Sequence, residues 1–326
     1  MLQALRLRHA LRQAQCERSG VLGYDEMTTE TATLDTALGF TIASRHARGR
    51  LVRLGPALDT ILAAHAYPPA LAKMLAEALV LAALLGSTLK NEVGQLTLQA
   101  QTQGGAVDLL VADYKGGEMR GYLRFDADKV AEMPAEPSLF ALFGKGYLAI
   151  TFDQETTGER YQGIVPLEGG SLADAAQHYF AQSEQIPSLV RVAVRTREDG
   201  THVAGGILIQ HLPEGEEGRE RLHTKLDHPE WQHVEALAST AQADELTDIG
   251  LGLDQLLWRL FHEEEEVRIL PVASLSRGCR CSPDHIQAVI ARFPPEERAQ
   301  MADENGLVHV DCEFCAKSFP VALPAH

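Results

Sequence analysis

Apolar and polar positions alternate in a series of short segments between about Arg48 and Pro213. Alternation with a period of two is typical of strands that bury one face. The strands predicted in this way are Gly49–Leu54, Gln95–Gln103, Val107–Tyr114, Arg120–Phe125, Tyr147–Phe152, Arg160–Pro166, Leu189–Thr196 and Val203–Leu212. Ala70–Lys90 is apolar on nearly all sides of a helix, which predicts a buried helix. Strands without regular helix alternation favour an α+β fold over a doubly wound parallel sheet.

Two shorter helices are predicted within the same part of the chain. Pro56–Ala66 reads as a helix that ends before the two prolines at 68 and 69. Ser171–Gln185 reads as a second one, with Ser171 as its N-cap and Asp174 at the third helical position. Residues 37–213 are therefore expected to form one α+β core domain, and the residues before them a poorly ordered extension, 1–36.

The character of the sequence changes after residue 213. A polar, charge-dense stretch leads into helical pieces within Ala236–Glu266, where an apolar stripe repeats at spacings of three and four; its members are Leu256, Leu257, Leu260 and Phe261. Residues 214–275 carry too few apolar side chains for a core of their own, so we expect a metastable helical linker that depends on its neighbours. The stripe, with Trp258, either packs on the core as ordinary linker or covers a binding surface.

The last part of the chain, 276–326, has the pattern of a small separate domain. Ser282 can cap a helix that begins at Pro283, and a second helix is expected from about Glu296 to Glu304. The strand-like stretches "LVHVD" and "KSFPV" then flank a Cys-x-x-Cys turn. A hairpin with two cysteines at its turn has the shape of a zinc knuckle.

Four of the five cysteines lie in this domain, as Cys279-x-Cys281 and Cys312-x-x-Cys315 with thirty residues between the pairs. Four thiolates suit one tetrahedral Zn²⁺ per chain, with bonds of about 2.3 Å. An all-sulfur site leaves no position for a reactive water, which argues against zinc-hydroxide catalysis, and we do not expect an enzyme. The zinc is then either purely structural or part of a redox switch.

The redox-switch hypothesis rests on the small size of the domain. About fifty residues bury too little surface to fold well alone, so bound zinc would supply much of the folding free energy. Oxidation of the thiolates would expel the metal and unfold the domain. Each pair is adjacent in sequence, which predicts the disulfides Cys279–Cys281 and Cys312–Cys315. The Cys-x-Cys ring is strained and therefore readily reduced again.

The net charge and the N-terminal sequence limit the expected classes of partner and the expected cellular location. The chain has 29 basic and 45 acidic residues, a formal charge of −16, which disfavours nucleic acid and anionic membranes. The longest apolar run, Ala78–Leu85, is shorter than the roughly 20 residues of a membrane span. The first residues are basic but lack the apolar core of a secretory signal, so we expect a cytoplasmic protein in which permanent disulfides are disfavoured. Cys16 is interpreted as an incidental thiol.

Three other motifs fail their own requirements. His262–Glu266 lacks the second histidine of a zinc-protease helix, and Gly144–Tyr147 lacks the glycines of a nucleotide-binding loop. The second cysteine pair lies between strands, whereas a thioredoxin-type motif begins a helix. A zinc-ribbon adaptor and a thiol oxidoreductase stay open as hypotheses.

These cysteines, with "GERYQG" (Gly158–Gly163), "AGGILIQHLP" (Ala204–Pro213) and "LLWRLFHEEE" (Leu256–Glu265), resemble the redox-regulated 33 kDa heat-shock chaperones of bacteria. The resemblance also includes Leu167–Pro187 and runs from about Phe40 to Phe319. It implies a three-layer β/β/α core and an ATP-independent holdase. In that family the reduced, zinc-bound protein is inactive. Oxidation forms the two disulfides and releases zinc, the linker unfolds, and the protein dimerises and binds unfolding or oxidatively damaged clients.

Overall fold

The computed structural model describes residues 33–89, 93–102, 104–154, 158–212 and 228–322. Fourteen strands lie within these ranges: β1 (Thr36–Ile42), β2 (Ala47–Leu54), β3 (Gln95–Thr102), β4 (Val107–Lys115), β5 (Glu118–Phe125), β6 (Gly146–Gln154), β7 (Glu159–Pro166), β8 (Ser188–Thr196), β9 (His202–His211), β10 (Arg268–Ile269), β11 (Ala273–Ser274), β12 (Ser276–Arg277), β13 (Leu307–Asp311) and β14 (Ser318–Ala322). The helices are α1 (Pro56–Leu62), α2 (Pro69–Gly86), α3 (Ala127–Ala131), α4 (Leu139–Phe143), α5 (Leu172–Tyr179), α6 (Pro229–Ala238), α7 (Ala243–Leu246), α8 (Leu253–Phe261), α9 (Pro283–Ile290) and α10 (Pro295–Met301).

The described strands form two six-stranded sheets and one hairpin. The first sheet has the order β10-β1-β2-β9-β8, and β11 also pairs with β1. The second has the order β12-β5-β4-β3-β6-β7, and the hairpin joins β13 to β14. The pairs are antiparallel except that β12 runs parallel to β5. Largely antiparallel sheets without regular β-α-β alternation confirm the predicted α+β class.

The apolar helix α2 lies at the centre of the core. It contacts strands of both sheets, and 13 of its 18 residues are buried. By length and composition α2 is the one helix in the described ranges that would suffice to cross a membrane. Its burial between protein layers explains the same composition, because a helix that packs on several sides must be apolar on several sides.

The eight strands expected from alternation are all present. The sequence analysis did not predict β1, β10, β11, β12, α3 or α4. Strand β1 begins at Thr36, and the carboxylate of Asp35 accepts hydrogen bonds from the backbone N–H groups of Gly55 and Ala57. Asp35 thus supplies acceptors for two backbone donors at the start of α1. The N-cap residue of α1, Gly55, has no side chain that could do so. The remainder of the expected extension, 1–32, lies outside the described residues, as does Cys16.

The helix expected over Ser171–Gln185 consists of two parts. Ser171 is its N-cap, as predicted, because its Oγ accepts a hydrogen bond of 3.1 Å from the backbone N–H of Asp174. After Tyr179 the backbone continues as a π-helical turn, Phe180–Glu184. The Tyr179 ring packs directly on Gly163, where a Cβ atom would lie 1.9 Å from the ring, so only glycine permits this contact.

Helices α6, α7 and α8, which we call the cover, lie on the first sheet and bury a second apolar cluster. Its sheet side includes Leu38, Phe40, Ile42, Leu51, Ile207 and Ile209, and its cover side includes Trp231, Val234, Leu246, Leu256, Leu257, Leu260 and Phe261. The rings of Phe40 and Phe261 have centroids 5.7 Å apart. The predicted packing of the apolar stripe on the core is therefore confirmed.

Two buried polar groups attach the cover to the first sheet. Arg53 of β2 is fully buried and donates hydrogen bonds to the backbone carbonyls of Glu245, Leu246 and Leu251. The buried carboxylate of Glu264 accepts from Arg45 Nε at 2.9 Å and lies 2.6 Å from His233 Nε2. The cover is thus held by specific hydrogen bonds as well as by apolar burial.

Candidate metal centre

The four C-terminal cysteines form one cluster in the structure. Their Sγ atoms all lie within 4.8 Å of one another, although thirty residues separate the two pairs. The distance is 3.2 Å between Cys279 and Cys281 and 3.6 Å for both Cys279–Cys312 and Cys281–Cys315. All four are free thiols, since a covalent S–S bond is about 2.05 Å long.

The first cysteine pair is fixed to the edge of the second sheet. Strand β12 pairs with β5, and the N–H of Gly278 continues the ladder by donating to the carbonyl of Met119 at 2.8 Å. Gly278 is required here because a Cβ atom would lie 2.6–2.8 Å from the Glu118 side chain. Between the cysteines, Arg280 Nη1 donates to Gln95 Oε1 of β3 at 2.7 Å.

The second pair lies in the turn of the β13–β14 hairpin, as the sequence predicted. The N–H groups of Cys315 and Ala316 both donate to the carbonyl of Cys312, at 3.2 and 2.8 Å. The N–H of Cys312 donates to the carbonyl of Lys317 at 2.9 Å and closes the hairpin. These bonds turn both sulfurs to one side, where Cys281 and Cys279 approach them.

Ala316 has a φ of +53°, a left-handed conformation that costs an L-residue about 1–2 kcal/mol. We expect Ala316→Gly to stabilise the hairpin by about 0.5–1 kcal/mol, less than the full cost because glycine also gains freedom in the unfolded chain. The measurement is zinc loss to a competing chelator, which should require about threefold more chelator. Ala302, with a φ of −81°, is the matched control. An Ala302→Gly variant that resists the chelator as well as Ala316→Gly would contradict the backbone explanation.

The turn Cys312–Cys315, which we call the knuckle, also contacts the core through the two residues between its cysteines. The backbone carbonyl of Glu313 lies 2.8 Å from His65 Nε2. The Phe314 ring packs edge-on against Tyr122, with centroids 4.9 Å apart, and the guanidinium carbon of Arg120 lies 4.0 Å from the Phe314 ring centroid. The sequence pattern did not indicate these contacts, because the partners lie between 192 and 248 residues apart and neither side forms a motif.

The thiols of the cluster differ in pKa. Burial alone would raise the pKa of Cys279, but hydrogen bonds with the Cys281 backbone and with the other three thiols lower this pKa to about 7. Burial and the same thiol contacts raise the pKa of Cys281 to about 12, and burial also raises that of Cys312. Four thiolates this close repel one another, so full deprotonation requires a cation among them.

The donor set fits zinc. Four sulfurs at about 2.3 Å from one tetrahedral ion would be about 3.8 Å apart, close to the two distances of 3.6 Å. Soft thiolate ligands in a four-sulfur set favour Zn²⁺ or iron–sulfur chemistry over Mg²⁺ or Ca²⁺. Cys315 is buried and the other three cysteines are partly exposed, so small oxidants can reach the cluster.

Comparison with known proteins gives consistent matches along nearly the whole chain. The family model described as Hsp33 protein matches residues 35–321. The 33 kDa chaperonin of Caulobacter vibrioides (strain NA1000 / CB15N) is 42% identical over 307 residues, which are 92% of this chain and 99% of that protein. The 33 kDa chaperonin of Cronobacter sakazakii is 36% identical over 273 residues, 83% of this chain and 87% of that protein.

A solved structure supports the same fold. The crystal structure of the 33 kDa chaperonin, a heat shock protein 33 homologue, from Thermotoga maritima superposes with a TM-score of 0.72. The superposition covers 88% of this chain and 95% of the Thermotoga maritima chain at 22% sequence identity. At this identity the similarity supports the fold alone. The family model matches most of this chain, and relatives are up to 42% identical to it. The chain therefore belongs to the Hsp33 family.

Proposed function

We propose that this protein is a redox-regulated holdase chaperone that is inactive when reduced and zinc-bound. Cys279, Cys281, Cys312 and Cys315 would hold one Zn²⁺ per chain, which joins the two halves of the C-terminal module, 276–326. The bound ion supplies folding free energy to this module and keeps the four sulfurs as thiolates. The 33 kDa chaperonins among the relatives support the chaperone class, and clients are its expected partners.

Activation is proposed as oxidation of the same four residues. The thiolates of Cys279 and Cys281 lose two electrons to one peroxide molecule, which takes up two protons and becomes two waters as the S–S bond forms. Cys312 and Cys315 react in the same way with a second peroxide. As disulfides, the four sulfurs would no longer be able to hold a zinc ion. The pairing is supported by the short separation within each pair: the Sγ atoms of Cys279 and Cys281 lie 3.2 Å apart, and Cys312 and Cys315 share the hairpin turn.

The observation that carries the proposal is the connection from the metal centre to the cover. Only 17 residues, 262–278, separate the end of α8 from Cys279. Three two-residue strands lie within them: β10 and β11 pair with β1, and β12 pairs with β5. Strands this short depend on being held at both ends. Loss of the folded module would free β12 first and then loosen β11 and β10 next to the cover.

Release of the cover would expose the sheet side of the second apolar cluster. Phe40, Ile42 and Leu51 are fully buried beneath it and would become available to apolar segments of unfolding proteins. We place this activity in the cytoplasm, where reductants reset the disulfides, and expect no requirement for ATP. An exposed apolar face also favours pairing of two activated chains, so we propose a homodimer as the active form.

Two alternatives predict different behaviour. A thiol oxidoreductase would turn over a disulfide substrate, but Cys312 and Cys315 lie in a hairpin turn and not at a helix N-terminus. A zinc-ribbon adaptor for nucleic acid would need a basic face, and the chain carries a net charge of −16. A purely structural zinc shares the observed geometry and differs only in its response to oxidant.

The test is light scattering from a thermally unfolding client protein, with a chromophoric chelator to report zinc. The reduced, zinc-loaded protein should leave aggregation unchanged. Peroxide at elevated temperature should release about one zinc per chain and give stoichiometric suppression of aggregation. Equal scattering in both states, or zinc retained throughout, would leave only a structural metal site.

A further inference from the structure

The knuckle places one aromatic side chain in a defined site on the second sheet. Phe314 meets Tyr122 edge-on, at a centroid distance of 4.9 Å and an interplanar angle of 81°. The guanidinium carbon of Arg120 lies 4.0 Å from the Phe314 ring centroid. Both contacting residues belong to β5, two positions apart on the same face of the strand. The Phe314 ring therefore fills a site made of one cation and one aromatic ring.

The core side of this contact is built independently of the cysteine module. Arg120 Nε donates to Asp113 Oδ2 at 2.8 Å, and Arg120 Nη2 lies 2.7 Å from the same oxygen. Asp113 is buried, and Thr97 Oγ1 donates to its other oxygen at 2.7 Å. Asp113 pairs with Arg120 on one side and with Thr97 on the other, across β5, β4 and β3. The guanidinium would thus keep its orientation after Phe314 has left.

We propose that Arg120 and Tyr122 form a binding site for aromatic side chains of unfolded polypeptides, which Phe314 occupies while the module is docked. The inference rests on the proposed chaperone function and adds a second client contact, on the opposite sheet from the cover. A cation over the ring face and an edge-to-face ring both select an aromatic over an aliphatic side chain. A preformed site also loses little freedom on binding. Phe314 acts as an internal competitor that is removed with the zinc.

The site predicts a preference that a matched pair of peptides can measure. The probes are a fluorescein-labelled, uncharged, extended peptide with several Phe residues and the same peptide with Leu at those positions. The oxidised full-length chain should bind the Phe peptide about fivefold more tightly by anisotropy. The reduced, zinc-loaded chain should show no preference, because Phe314 fills the site.

Variants separate this site from general apolar binding. Arg120→Gln should abolish the preference for Phe in the oxidised chain. Arg124→Gln is the control, since Arg124 lies four residues along the same strand with an exposed side chain, 3.8 Å from Asp108. Phe314→Ala should create the preference for Phe without oxidation. Because this substitution leaves the core strands unchanged, it tests the aromatic site even if Arg120→Gln folds poorly.

Equal affinity of the oxidised wild type for both peptides would overturn the proposal, as would equal loss in the two arginine variants. Suppression of client aggregation is measured on the same samples. Suppression without a Phe preference would remove the aromatic site and leave the chaperone function standing. A Phe preference in reduced Phe314→Ala, with no suppression by any oxidised sample, would support the site and refute the redox-controlled holdase.

Discussion

Replacing Cys315 with Ser is expected to abolish tight zinc binding and to unfold the C-terminal module, while the two-sheet core stays folded. Cys315 is the buried member of the cluster, and a hydroxyl is a poor ligand for zinc beside three thiolates. Within its described residues, 276–322, the module has few buried apolar side chains, chiefly those of Ile290, Val308 and Val321. A structural zinc contributes on the order of 10–16 kcal/mol in small zinc domains, which these three cannot replace.

Hydrogen exchange and metal analysis together measure this effect. In Cys315→Ser, amides of β13, β14 and α9 should exchange at rates close to those of an unfolded chain, and zinc should fall well below one per chain. Amides of α2 should stay protected, since that helix packs between the two sheets. Cys16→Ser is the control and should match the wild type in both measurements. Full zinc occupancy with an intact β13–β14 hairpin in Cys315→Ser would contradict the four-sulfur site.

Arg53→Met is expected to release the cover without any oxidation. The Arg53 side chain donates to the carbonyls of Glu245, Leu246 and Leu251, which close α7 and lead into α8. Each buried carbonyl left without a donor costs about 1–3 kcal/mol. Removal of a buried charge returns part of that cost, because burial disfavours the guanidinium and lowers its pKa. We expect a net loss of about 3 kcal/mol in the free energy that holds the cover on the sheet.

The measurement is hydrogen exchange of α6–α8 in the reduced, zinc-loaded variant, where a loss of about 3 kcal/mol corresponds to roughly hundredfold faster opening. The same sample should suppress client aggregation although its cysteines remain reduced. Arg259→Met is the matched control: its guanidinium is half-exposed and bonds the side chain of the same Glu245 at 3.2 Å. An exposed ion pair contributes about 0.2–1 kcal/mol, so the cover should stay closed. A released cover without chaperone activity would show that clients bind elsewhere.

Local patterns in the sequence predicted most of the fold and the whole cysteine cluster. The strands from Gly49–Leu54 to Val203–Leu212 alternate because each buries one face, and the Ser171 cap is a local hydrogen bond. The cysteine pairs were recognisable because knuckle spacing reflects the geometry of a single turn. Each of these features depends on residues close together in the chain.

Contacts between distant segments were not predictable in the same way. Strands β10, β11 and β12 have two residues each, too short for any periodicity, and they form only because β1 and β5 offer free edges. Arg53 looks like one more polar position in an alternating strand, yet its side chain is fully buried beneath the cover. Phe314 looks like a spacer between two ligands, yet its ring packs against Tyr122 of the core.

Activation by oxidation requires one coupling: loss of the metal centre must loosen the cover across the 17 residues that connect them. Hydrogen exchange of the wild type, sampled during peroxide oxidation with a zinc-reporting chelator present, measures both events in one experiment. We predict that protection of α6 and α8 falls in step with zinc release, that α2 stays protected, and that reductant with zinc restores the starting pattern. Zinc release with α6 and α8 still protected would contradict the coupling and leave the metal centre without control over the cover.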